Sequence, residues 1–134
     1  MRVLLDTNVL VAAFIAHGTC HEVLEVVVRH HRLVTSQYVL KEFERCLRTK
    51  FGYGTKEVRE AVSLVSDNAE VVEPLKVEVA EEIDTDDLPV LGTAVAGSCD
   101  CLVTGDKELL ELGRVHKTAI ISPAQFWRFE DRES

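Results

Sequence analysis

Five short runs constrain this chain more than any other feature: "VLL" (3–5), "RLVTS" (32–36), "AEVVEP" (69–74), "CLVTG" (101–105) and "TAIIS" (118–122). Most place their apolar residues consecutively rather than alternately. A strand of that kind needs cover on both faces. A sheet with helices packed on each side supplies it. The stretches between the runs carry the matching helical patterns.

The sequence predicts a first helix over about 8–16, ended by His17-Gly18, and a second over 20–31 with Val23, Leu24, Val27 and Val28 as its stripe. Ser36 is placed to cap a third, with Val39, Leu40, Phe43 and Leu47 on one face. "FGYG" (51–54) reads as a loop, and Thr55 as the cap of a fourth helix carrying Val58, Ala61, Val62 and Val65. Pro74 ends the third strand. Pro89 falls in the first turn of a fifth helix, where its missing N–H costs nothing, and Gly97 stops that helix after about Ala96. Ser122-Pro123 open a short closing helix. The alternation predicts an α/β fold, a three-layer sandwich with a mostly parallel central sheet and helices on both faces. The length of 134 residues suits a single domain over 1–134.

Composition narrows the function classes. No apolar run approaches the ~20 residues of a membrane span, and residues 1–16 lack the pattern of an export leader. The expectation is a cytoplasmic protein with no membrane partner. Cys20, Cys46, Cys99 and Cys101 are then expected to be reduced, buried thiols, because "CDC" has neither zinc-knuckle spacing nor a second pair. The net charge of −8 disfavours broad nucleic-acid binding. The charge is uneven, however: Lys41 to Arg59 holds six Lys/Arg against three acids, and Lys76 to Asp87 holds six acids against one base. An acidic pocket beside a basic patch fits that distribution.

Two apolar strands end in a carboxylate: Leu4-Leu5-Asp6, and Leu102-Val103-Thr104-Gly105-Asp106. In a parallel sheet both ends lie on one edge, the edge where such sheets bind ligands. Glu42 lies one turn beyond Ser36, beside the Val39/Phe43 stripe, and Asp87 stands four residues before Leu91 on the same helical face. Each acid alone has a plain structural explanation. Asp106 is a natural N-cap, Glu42 a solvated helix position, and Asp84, Asp86 and Asp87 a solvated acidic loop. Asp6 is the hardest to explain so, since an acid after a buried strand is costly without partners. Four carboxylates drawn together repel one another, and a divalent cation resolves the repulsion. An oxygen-only donor set suits Mg²⁺ or Mn²⁺.

These residues resemble the PIN-domain family. The resemblance runs through "LLDTNVL" (4–10), "VTSQYVLKEFERCL" (34–47), "DTDDLPVLGTAVAGSCDCLVTGDKELL" (84–110) and "AIISPAQF" (119–126), nearly the whole chain in order. It implies a small α/β ribonuclease with Mg²⁺ or Mn²⁺ in an acidic site. Asp6, Glu42, Asp87 and Asp106 match the four catalytic acids, and Asp6, Asp87 and Asp106 would carry the metal. Asn8 and Thr104 match supporting polar residues. Asp86 is the neighbouring alternative for the third acid. Glu108 stands where many relatives have one further acid. The resemblance also implies products with 5′-phosphate and 3′-hydroxyl ends. It further implies a VapC-like toxin held by a cognate antitoxin, and a homodimer as a common state.

The substrate expected on this reading is single-stranded or looped RNA, because base reading of RNA needs unpaired bases. Arg45, Arg48 and Lys50, with Lys56 and Arg59 nearby, are candidate phosphate contacts. The run Arg29-His30-His31-Arg32 is accounted for by a helix terminus that favours cations. Three other readings compete. A dehalogenase-like phosphatase would need an Asp at position 8, which is Asn8. A phosphoacceptor receiver domain would need an Asp near 50–57, where the chain reads "KFGYGTKE". The third is an inactive PIN scaffold that only binds a partner.

Overall fold

A computed structural model describes residues 1–133. Its six-stranded sheet has the order β3-β2-β1-β4-β6-β5. The strands are β1 (Arg2–Leu5), β2 (Arg32–Thr35), β3 (Ala69–Val71), β4 (Cys101–Val103), β5 (Arg114–Val115) and β6 (Thr118–Ile121). All pairs are parallel except β5 with β6. Val3, Leu4 and Leu5 are all buried, as are Cys101, Leu102 and Val103. Successive strand residues face opposite sides of a sheet, so both faces are covered. This is the mostly parallel α/β sandwich that the apolar runs predict.

The helices are α1 (Thr7–Ile15), α2 (Thr19–His30), α3 (Gln37–Thr49), α4 (Thr55–Asp67), α5 (Leu88–Ala96), α6 (Lys107–Leu112) and α7 (Phe126–Glu133). A single 3₁₀ turn, Thr85–Asp87, runs directly into α5. Ser36 caps α3, its Oγ accepting the Val39 N–H at 3.3 Å. The Ser36 and Thr93 hydroxyls share a hydrogen bond at 2.8 Å, and Thr93 also donates to the Pro89 carbonyl at 2.7 Å, which ties α3 to α5. Phe43 and Phe126 are the largest fully buried side chains. No single helix among the described residues is long and apolar enough to cross a membrane.

The structure departs from the sequence reading in four places. Gly54, not Thr55, is the N-cap of α4, and its N–H is satisfied by Glu57 Oε1 at 3.1 Å. The third strand stops at Val71, well before Pro74. Strand β5 has no counterpart in the sequence reading, because two residues carry too little periodicity to detect, and the helix that an Asp106 cap implies is only the six-residue α6. Gly113 (φ 76°) ends α6, and His116 (φ 51°) turns the chain back from β5 into β6. All four cysteines are free thiols, but only Cys99 and Cys101 are buried; Cys20 and Cys46 are half-buried. Burial raises both buried thiols well above the ordinary cysteine range.

Candidate functional site

The register of β1 against β4 sets Leu5 beside Val103. The chain therefore leaves the sheet at Asp6 and Thr104 side by side. The Asp6 N–H donates to the Val103 carbonyl at 2.9 Å, and the Thr104 N–H to the Ile121 carbonyl at 2.9 Å. Asp6 is only 6% exposed and Thr104 is fully buried. A buried carboxylate needs hydrogen-bond partners, and Asp6 has them. Its Oδ1 accepts the Thr7 N–H at 2.8 Å, which makes it the N-cap of α1. Its Oδ2 accepts the Thr104 hydroxyl at 2.7 Å and, less closely, Asn8 Nδ2 at 3.4 Å.

These contacts extend to the second strand-ending acid. Thr104 Oγ1 accepts the Asp106 N–H at 3.0 Å. With its oxygen held there, its one proton goes to Asp6. Asn8 Oδ1 accepts the Gly105 N–H at 3.2 Å, so the other end of the amide faces Asp6. Asp106 in turn caps α6, its Oδ1 accepting Glu108 N–H at 2.8 Å and Leu109 N–H at 3.2 Å. Both acids are thus helix caps as well as neighbours at the sheet edge.

A cleft of about 550 Å³ opens over this edge, and Asp6, Asn8, Glu42, Asp86, Asp87 and Asp106 all line it. They come from the end of β1, from α1, from α3, from the 3₁₀ turn and from the loop after β4. Glu42 carries an ion pair with Arg45 at 2.7 Å, one helical turn away. Burial raises the Asp6 carboxyl above its usual range. The hydrogen bonds from Thr104 and Thr7 oppose that rise, and the charge of Asp106 adds to it. Asp87 is pushed up to about 6, first by burial and then by Asp106 and Asp6. The Tyr38 phenol is raised too, by burial and then by Glu42, Asp86, Asp87 and Asp6.

The cleft therefore concentrates negative charge, with Lys50 in its lining and Arg45 paired to Glu42 as nearby cations. Among the described residues, no three His, Cys, Asp or Glu side chains stand together closely enough to hold an ion directly. The donor chemistry is nonetheless that of a hard divalent cation: carboxylates and amide or hydroxyl oxygens, in a cleft with room for water. An ion that keeps several of its own waters and touches only one or two carboxylates, as Mg²⁺ does, fits these residues.

Sequence comparison decides the family. The PIN-domain profile matches residues 2–108, most of the chain and all four of the strand- and helix-borne acids. The chain belongs to the PIN-domain family. No curated protein sequence matches it. Two solved structures share the fold. VapBC2 from Rickettsia felis, bound to a DNA fragment from its promoter, aligns with TM-score 0.64 at 18% identity over 91% of this chain and 98% of that one. VapBC-1 from nontypeable Haemophilus influenzae aligns with TM-score 0.64 at 16% identity over 92% and 99%. Family membership leaves the receiver-like and dehalogenase-like readings without support.

Within this PIN domain the remaining candidates separate. Lys50 lines the acidic cleft, together with the half-exposed Phe51. Arg45 does not line the cleft itself but pairs with Glu42, which does. Arg48 pairs with Glu44 at 3.0 Å, and both line a different, smaller groove with Arg59, which Asp6, Glu42, Asp87 and Asp106 do not line. Asp86 shares the cleft, but Asp6 and Asp106 act most directly on Asp87. Glu108 does not line the cleft at all. Sequence reasoning missed Tyr38, which does. Its spacing of four residues before Glu42 on one helix was the available signal.

Proposed function

We propose that this PIN domain is a metal-dependent endoribonuclease that cuts single-stranded or looped RNA. The observation that carries the reading is the convergence of Asp6, Glu42, Asp87 and Asp106 from four separate parts of the chain on one cleft. Asp6, Asp87 and Asp106 would hold Mg²⁺ or Mn²⁺, partly through water. The bound ion supplies positive charge to the phosphodiester oxygens and acidifies water for attack. Thr104 and Asn8 would orient Asp6 by donating to it, and their hydrogen bonds oppose the rise that burial imposes on its carboxyl. Glu42, which lines the same cleft, would complete the site or orient the attacking water. Lys50 in the cleft lining, and Arg45 beside Glu42, would contact phosphates.

The toxin reading belongs to the same proposal. The sequence resembles the toxin subgroup of the family, and the two solved structures described above are VapBC structures. Both support a cognate antitoxin as the partner, with homodimerisation an additional expectation.

The test is cleavage of a labelled single-stranded RNA by the purified chain with Mn²⁺. Activity should disappear in excess chelator and in Asp6→Asn, which removes a charge at nearly constant volume while the circular dichroism spectrum stays native. Full cleavage in either condition overturns the metal assignment. A wild-type chain that binds a partner but never cuts RNA establishes the inactive scaffold instead.

A further inference from the structure

The turn that carries Asp87 is held from within by Asp84, whose Oδ1 accepts the Asp86 N–H at 3.0 Å and whose carbonyl accepts the Asp87 N–H at 2.9 Å, and on its far side by α5, into which it runs; all of these bonds lie on one side of Asp84. It is three residues long, and the stretch before it, 72–84, has no regular secondary structure. Upstream it is pinned where the Leu75 N–H donates to the Gly92 carbonyl at 3.0 Å. A side chain at Gly92 would collide with the Leu75 carbonyl. Nearer the cleft, two side chains grip the turn. Glu108 of α6 turns away from the cleft, and its Oε1 accepts the Asp84 N–H at 2.9 Å. Tyr38 of α3 donates its phenolic proton to the Asp86 carbonyl at 2.7 Å. One contact takes a backbone donor and the other a backbone acceptor, and they come from helices on different parts of the fold.

We propose that Glu108 and Tyr38 are positioning residues that clamp the turn 84–87 and so fix where the Asp87 carboxylate stands relative to Asp6 and Asp106. The two contacts add to the turn's own bonds where like charges around the cleft repel Asp87. The reading separates Glu108 from the ion-holding acids: its carboxylate is engaged by a backbone amide, not by the cleft. Gln at 108 keeps an acceptor oxygen for that amide, whereas Ala removes it.

The proposal deepens the nuclease reading, and hydrogen exchange tests it without relying on that reading. In metal-free protein, Glu108→Ala should speed exchange of the Asp84 amide about tenfold, the effect of losing one charge-assisted hydrogen bond. Glu108→Gln should stay within about threefold of wild type. Tyr38→Phe should speed exchange of the Asp87 amide, which donates to the Asp84 carbonyl inside the turn at 2.9 Å. In the cleavage assay Glu108→Ala should lower kcat about tenfold with little change in Mn²⁺ affinity, and Glu108→Gln should restore most of it. Unchanged exchange in Glu108→Ala overturns the clamp whatever cleavage shows. Equal damage from Gln and Ala, with Mn²⁺ affinity down about tenfold in both, makes Glu108 an ion ligand and also overturns it. The expected exchange pattern in a chain that cuts no RNA upholds the clamp and rejects the nuclease reading.

Discussion

Replacing Asp87 by Asn should stabilise the metal-free protein at neutral pH. Asp87 ionises at about 6 in the folded chain, against 3.8 for an unhindered carboxyl. That rise corresponds to about 3 kcal/mol of unfavourable charge in the folded state at pH 7. Asp87 is only half-buried, so solvent screening reduces the figure to roughly 1.5 kcal/mol. Asn also gives up the favourable interaction of a carboxylate with the start of α5, about 0.5 kcal/mol. No capping bond is lost, since the Asp87 side chain makes none. The net gain is about 1 kcal/mol, or roughly 3–4 °C in Tm for a domain of this size. The sign follows from linkage. A carboxyl raised in the folded state stabilises relative to neutral pH only while protonated, so its contribution is full below 3.8 and is lost as pH rises through about 6. Thermal melts of both proteins in chelator should therefore coincide near pH 4 and separate by pH 7.5. Added Mn²⁺ should stabilise wild type more than the variant and close the gap. A variant no more stable than wild type at pH 7.5, or a gap that ignores pH, would refute the electrostatic account of the cleft.

Other perturbations follow from the same geometry. Thr104→Val preserves shape but leaves the Asp106 N–H without its acceptor and removes a donor to Asp6; chemical denaturation should show a loss of about 2 kcal/mol, with cleavage reduced at unchanged secondary structure. Gly92→Ala forces a methyl group onto the Leu75 carbonyl and should cost roughly 2–4 kcal/mol, read from the same denaturation curves; a near-neutral result would mean the 72–84 stretch is not held there. Lys50→Glu should weaken binding of single-stranded RNA about tenfold and reduce the salt slope by about 0.7, while Arg48→Glu should leave both unchanged, since only Lys50 lines the cleft. Equal effects of the two charge reversals would place the RNA path elsewhere.

The sequence by itself determined the layered α/β architecture, because burial of consecutive strand residues leaves a local record: the unbroken "VLL" and "CLV" runs need cover on both faces wherever they pair. It also marked Asp6 and Asp106, since an acid directly after such a run is conspicuous without any knowledge of its neighbours. Only the tertiary structure decided what those acids do to one another. The one-residue ambiguity between Asp86 and Asp87, the turning of Glu108 toward the Asp84 amide, and the separation of Arg48 from Lys50 all depend on side-chain directions in short turns. Those directions are set by contacts between residues far apart in the chain, such as Tyr38 with Asp86. Periodicity carries no record of them, because hydrogen bonds across a cleft involve single residues and impose no repeat.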